Sequence, residues 1–124
     1  MTLTGDSALA SNTTGIENTA NGDNALGYNT TGSCNTANGL SALYHNTTGN
    51  FNTAIGNFAL VQNTTASSNT ATGYAALGVN VTGFRNRANG SESLSNNYTG
   101  ANNTAEGLQA LFRNNGSNNV GLGF

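Results

Sequence analysis

Residues 52–68 read NTAIGNFALVQNTTASS, and residues 69–85 read NTATGYAALGVNVTGFR. Asn-Thr-Ala, a Gly two places on, Ala-Leu and then Asn-x-Thr return in one frame of seventeen. Followed outward, that frame accounts for the whole chain. Rows begin at Met1, Asn18, Asn35, Asn52, Asn69, Asn86 and Asn103, the last of them one residue short, and residues 119–124 start an eighth. With row positions numbered 1 to 17, position 5 is Gly throughout, position 12 is Asn, position 9 is Leu, and position 8 is Ala except for Ser93. A short fixed period means that each row is one structural unit, burying its apolar side only by stacking on its neighbours.

Seventeen residues are too few for a helix pair with its turns, and Gly, Asn and Thr are poor helix formers. Thr-Ala and Ala-Leu between Asn and Gly read instead as very short strands joined by tight turns. The predicted fold is therefore all-β: a parallel β-solenoid with one coil per row, forming a single repeat domain over residues 1–124. Coils about 4.8 Å apart would make a rod of roughly 34 Å. Gly at position 5 and at position 15 (Gly15, Gly32, Gly49, Gly83 and Gly100, with Ala66 the exception) is expected to supply positive φ at the corners. The asparagines of positions 1 and 12 are expected to stack as amide ladders along corners. The position 12 ladder comprises Asn12, Asn29, Asn46, Asn63, Asn80, Asn97 and Asn114. The Thr columns at positions 2, 13 and 14 suit strand surfaces.

The expected core is Leu9, Leu26, Leu43, Leu60, Leu77, Leu94 and Leu111, with the Ala columns at positions 3 and 8. That is thin filling, since Leu, Ile, Val and Phe make only 22 of the 124 residues. Adjacent Ala and Leu on one strand would also point to opposite faces, which predicts that a partner chain covers one of them.

Only 6% of residues are charged, and the net charge is −2. Three basic residues cannot track a phosphate backbone, which argues against nucleic acid as a partner. No apolar run approaches the roughly 18 residues of a membrane span, so no membrane insertion by this segment is expected. Cys34 is the one cysteine and has no intramolecular partner. The one histidine, His45, sits in a variable column with no recurring acid beside it. Asp6, Glu17, Asp23, Glu92 and Glu106 are scattered over four columns, and no Lys is present for a phosphate loop. The expectation is no enzyme, no cofactor and no metal site.

The units TGNFNTAIGNFALVQN (48–63) and TGSCNTANGLSALYHN (31–46) resemble the head repeats of YadA-like trimeric autotransporter adhesins and related bacteriophage tail-fibre repeats. The resemblance covers essentially the whole chain. It implies a left-handed β-roll packed as a homotrimer, on a cell surface or virion tail, within a longer fibrous protein. It also implies a structural or adhesive role against a host surface protein or glycan. The chain departs from that pattern in its longer period and in the residue before Gly, where only Ile55 and Leu122 are branched and apolar.

Contacts with a ligand or a partner chain are expected from the variable columns, which hold Tyr28, Tyr44, His45, Phe51, Phe58, Tyr74, Phe84, Arg85, Phe112 and Arg113. Two other readings stay open: an ice-binding face built from the Thr-Thr pairs of positions 13 and 14, and a subunit that stacks end to end into an extracellular filament. The Asn-x-Thr triplets read as N-glycosylation acceptors in a secretory chain, or as ladder and turn chemistry in a stacked one.

Overall fold

The computed structural model describes residues 1–124 and is a parallel β-solenoid of about seven turns with no helix. Eight three-residue strands make one sheet in sequence order: β1 (Thr2–Thr4), β2 (Thr19–Asn21), β3 (Thr36–Asn38), β4 (Thr53–Ile55), β5 (Thr70–Thr72), β6 (Arg87–Asn89), β7 (Thr104–Glu106) and β8 (Val120–Leu122). Each residue pairs with the one seventeen later, as Thr19 with Thr36 and Ala20 with Ala37. The short seventh row shifts only the last pairing, Thr104 with Val120. Within a strand the pleat sends the middle residue inward and its neighbours outward, so Ala20, Ala37, Ala54, Ala71, Ala88 and Ala105 are buried.

Coil-to-coil pairing does not stop at the strands. Of 84 backbone–backbone hydrogen bonds, only 14 lie within them. Outside the sheet, Leu26 N donates to Ala42 O, Tyr28 N to Tyr44 O and Thr30 N to Thr47 O, each at 3.0 Å. Within a coil, Ala25 N donates to Gly22 O and Asn29 N to Leu26 O, which folds positions 5–12 into successive tight turns.

Ala-Leu therefore belongs to turns and not to a strand, which corrects the expectation drawn from the pleat. The Leu of position 9 is left-handed in every row, with φ between 48° and 53°. This change of handedness turns both Ala and Leu inward, and Ala25, Leu26, Ala42, Leu43, Ala59, Leu60, Ala76 and Leu77 are fully buried within one chain. A left-handed non-Gly residue costs about 1–2 kcal/mol. Burying a Leu side chain returns about 1.5–3 kcal/mol, so the strained pose wins. The pair no longer supplies a packing reason for a partner chain. Leu111 is the exception in its column, only partly buried, and leans onto Gly121 of the last strand.

The second half of the interior is polar. Asparagines of positions 1 and 12 are buried inside the coil, not ranged along corners: Asn18, Asn29, Asn35, Asn46, Asn52, Asn63, Asn69, Asn80, Asn97 and Asn103 are fully buried. Both amides of a coil reach the same backbone carbonyl. Gly32 O accepts from Asn18 Nδ2 at 2.8 Å and from Asn29 Nδ2 at 2.9 Å, and Gly49, Ala66, Gly83 and Gly100 repeat the fork. Position 12 is a true amide ladder, Asn29 Nδ2 to Asn12 Oδ1 at 2.7 Å and onward through Asn46, Asn63, Asn80 and Asn97. Position 1 differs, because there each Oδ1 accepts the backbone N–H of the same position one coil on, as Asn35 N to Asn18 Oδ1 at 3.0 Å.

Asn114, expected as the last rung, is not one. The missing residue in its row leaves its Nδ2 on Gly116 O alone, and Asn97 Oδ1 is buried without a donor. Position 15 also departs from expectation. Its glycines have no positive φ; they are small because a Cβ there would strike the carbonyl of the next coil and the Asn amides. Positive φ belongs to the glycines of position 5, at 117° to 136° from Gly5 to Gly107.

Replacing Asn63 by Ala strips the donor from Asn46 Oδ1 and half the partners of Asn80 Nδ2. A loss of about 2–3 kcal/mol is expected by urea denaturation, since a buried acceptor is left unpaired. Thr65→Ala, on the exposed neighbouring column, should stay within about 0.5 kcal/mol of wild type. Equal losses for the two variants would show that the ladder is dispensable.

Candidate functional site

The ten side chains singled out from the variable columns fall on separate flanks of the rod. Phe51, Phe84 and Arg85 lie at positions 16 and 17, with the Arg85 guanidinium carbon 5.8 Å from the Phe84 ring centre. Phe58 and Tyr74 lie at positions 7 and 6 of adjacent coils, their rings edge to face at 6.0 Å. Phe112 and Arg113 share the columns of Tyr44 and His45 but lie four coils away. None of these meets an acid or a second basic group in an arrangement suited to proton transfer.

Tyr28, Tyr44 and His45 do come together. Tyr28 and Tyr44 have ring centres 4.7 Å apart, His45 stacks on Tyr28 at 5.6 Å and meets Tyr44 edge-on at 4.7 Å. The seat of this cluster is Gly27. A Cβ there would lie 2.8 Å from a Tyr44 ring carbon, so only glycine in that column lets the ring settle over the preceding coil. The Tyr28 phenol favours the neutral Tyr44 hydroxyl as a hydrogen-bond donor and, with desolvation and the repulsion between two phenolates, raises the Tyr44 pKa above that of a free tyrosine. His45 Nδ1 lies 3.0 Å from Val61 O, and a carbonyl can only accept, so Nδ1 carries the proton, which in the neutral ring leaves Nε2 as the acceptor.

Beside the cluster runs an open groove of about 460 Å³, lined by Tyr28, His45, Gln62, Thr47, Thr64 and Val81. Tyr28, His45 and Gln62 are position 11 of three consecutive coils, and Thr47, Thr64 and Val81 are position 13. The sequence held a signal for this: positions 11 and 13 flank the buried Asn of position 12, so both must emerge on one side. Gln62 and the two threonines were not among the expected contact residues.

The Thr-Thr pairs do not make a doubled hydroxyl face. Position 13 hydroxyls donate to the carbonyl of the next coil, from Thr13 to Thr30 O at 2.9 Å through Thr64 to Val81 O at 3.3 Å. Thr30, Thr47 and Thr64 are half-buried, whereas their position 14 neighbours Thr31, Thr48 and Thr65 are exposed. Nor are all variable columns free for recognition. Asp23 and Asn57 at position 6, and Ser33, Asn50 and Ser67 at position 16, accept backbone N–H groups from the coil before them. The sequons of Asn29, Asn46, Asn63, Asn80 and Asn97 are likewise committed, because their Nδ2 atoms are the buried rungs of the ladder.

Cys34 lies against Glu17 of the preceding coil, its thiol donating to Oε2 at 3.3 Å. That hydrogen bond, then desolvation and the carboxylate's charge, raise the thiol pKa above that of a free cysteine. Because the neutral thiol is favoured, iodoacetamide should alkylate Cys34 at pH 8 more slowly than a cysteine in an unstructured peptide. Glu17→Ala should speed the reaction several-fold; an unchanged rate would mean that the contact does not govern the thiol.

No protein-family model matches the chain, and neither the curated proteins nor the solved structures compared with it contain a match.

Proposed function

We propose that the chain is a structural and adhesive module of an extracellular fibre, a segment of a trimeric surface adhesin or tail fibre. The observation carrying this reading is a division of labour between columns. The invariant ones, Asn, Gly, Ala and Leu, are taken up in stacking the chain on itself, while in coils two to seven large exposed apolar side chains occur only in the variable columns. Such a rod can be lengthened by rows and decorated independently of its scaffold.

A partner chain has a candidate surface, though not the Ala-Leu pair. Leu40, Ile55, Phe58 and Tyr74 group on coils three to five beside the sheet, and Leu40, Ile55 and Tyr74 are exposed in the single chain. Light scattering is expected to give the mass of three 12.5-kDa chains, falling when Phe58 and Tyr74 are both changed to Ser. A folded monomer at all concentrations overturns the trimer.

A second reading, ice binding, is favoured by one observation on a different face from the Thr-Thr pairs. Thr2, Thr19, Thr36, Thr53 and Thr70 stand in register on the outer surface of β1 to β5, and their hydroxyls make no hydrogen bond within the chain. Their spacing of about 4.8 Å is close to an oxygen repeat of ice. Arg87 interrupts the column and Ile55 breaks the polar file beside it, which is why the fibre reading is preferred. Millimolar protein is expected to produce no thermal hysteresis; a measurable gap, abolished by Thr36→Tyr, would reverse the preference.

A further inference from the structure

We propose that the groove between positions 11 and 13 binds a neutral saccharide chain lying along the rod. This gives the adhesive reading a ligand class and rests on that reading for its biological sense. The volume of about 460 Å³ falls within the range of small-molecule sites. Three features of the lining select the class.

The first is charge. With His45 neutral, none of the six lining residues is charged, and a phosphate, sulfate or carboxylate ligand would find no countercharge. The second is the pairing of an aromatic surface with polar groups. Tyr28 is 48% exposed and held in place by Tyr44 and His45, so it offers a rigid ring to the C–H face of a sugar. Next to it, the side-chain amide of Gln62 makes no hydrogen bond within the chain and offers both a donor and an acceptor, while the neutral His45 ring offers an acceptor at Nε2. Vicinal hydroxyls, which donate and accept at once, match that mixture. The hydroxyls of Thr47 and Thr64 are donated to the backbone, so these residues add only acceptors and methyl surface to the wall that Val81 continues.

The third feature is spacing. Tyr28, His45 and Gln62 stand on successive coils about 4.8 Å apart, comparable with one hexose of an extended chain. A polymer laid along the stack would therefore meet one position 11 side chain per sugar. The backbone beneath cannot shift independently, since His45 N donates to Val61 O and Gln62 N to Gly78 O, both at 3.1 Å.

The full chain titrated with cellotetraose or chitotetraose, both neutral and β-linked, tests this. Saturable changes are expected in tyrosine fluorescence and in the His45 ring resonances, at millimolar ligand or below. Tyr28→Ala and Gln62→Ala should each weaken binding about tenfold, and Thr53→Ala, on the sheet, should leave it unchanged. All three positions are at least partly exposed, so circular dichroism is expected to stay that of the wild type. The proposal falls if neither sugar perturbs His45 at tens of millimolar, if both groove variants bind as wild type does, or if a sulfated tetrasaccharide binds more tightly than the neutral ones. Sugar binding by a folded monomer would keep this proposal and remove the trimer. A trimer blind to both sugars would do the reverse.

Discussion

One carbonyl in each of coils two to six receives two buried amides, and the rest of the coil is arranged to let that happen. A carbonyl oxygen has two lone pairs, and position 15 fills both, from the Asn that opens the row and from the Asn three places back. The residue carrying that carbonyl can have almost no side chain, because its Cβ would lie on the next coil's carbonyl and among the amides themselves. The fork ties position 1 to position 15 across the coil and position 12 to position 15 along it, so the circumference is set by hydrogen bonds as much as by apolar contact. Ala66 shows the tolerance of the arrangement: it stands in for Gly, its carbonyl still takes both amides, and the next rung, Asn80 to Asn63, lengthens to 3.1 Å.

The polar half of the interior also explains how a chain with so little apolar content holds a single conformation. A buried amide without partners would be among the most destabilising groups the coil could contain, whereas a fully satisfied set excludes alternative packings. The apolar half then needs only one Leu and two Ala per coil, and the Leu accepts a left-handed backbone to reach its place. Strain and amide burial each occur once or more per coil, and each is offset by contacts made only in the stack. An isolated row has neither.

Much of this was legible in the letters. The period gave the coil, the Thr-Ala pairs gave the strands, and the constant Asn of position 12 gave the ladder. What escaped were features that depend on handedness and on the interior. The alternation of side chains learned from strands does not apply to Ala25 and Leu26, because φ changes sign between them. Asparagine reads as a surface residue, and nothing local in the sequence says that Asn46 is fully buried. Gly49 and Gly56 look alike as letters, yet one is required by contact and the other by dihedral angle. The candidate groove was half legible: Tyr28, Tyr44 and His45 stood out as aromatic, but the Gly27 that seats them and the Gln62 that continues them carry no such mark.

The ladder of position 12 has a consequence of its own. Every rung donates from the later coil to the earlier one, so six side-chain amides lie head to tail over five contacts. Each peptide-like amide carries a dipole of about 3.5 D, and aligned dipoles add as they do along a helix. This file of amides is thus electrically polar, with Asn12 at its positive end and the lone acceptor Asn97 Oδ1 at its negative end. Reversing one amide would break its contacts on both sides, so the whole file must choose its direction together. An N–H donor seated beyond Asn97, where Asn114 turns to Gly116 O, would extend the file by one more contact.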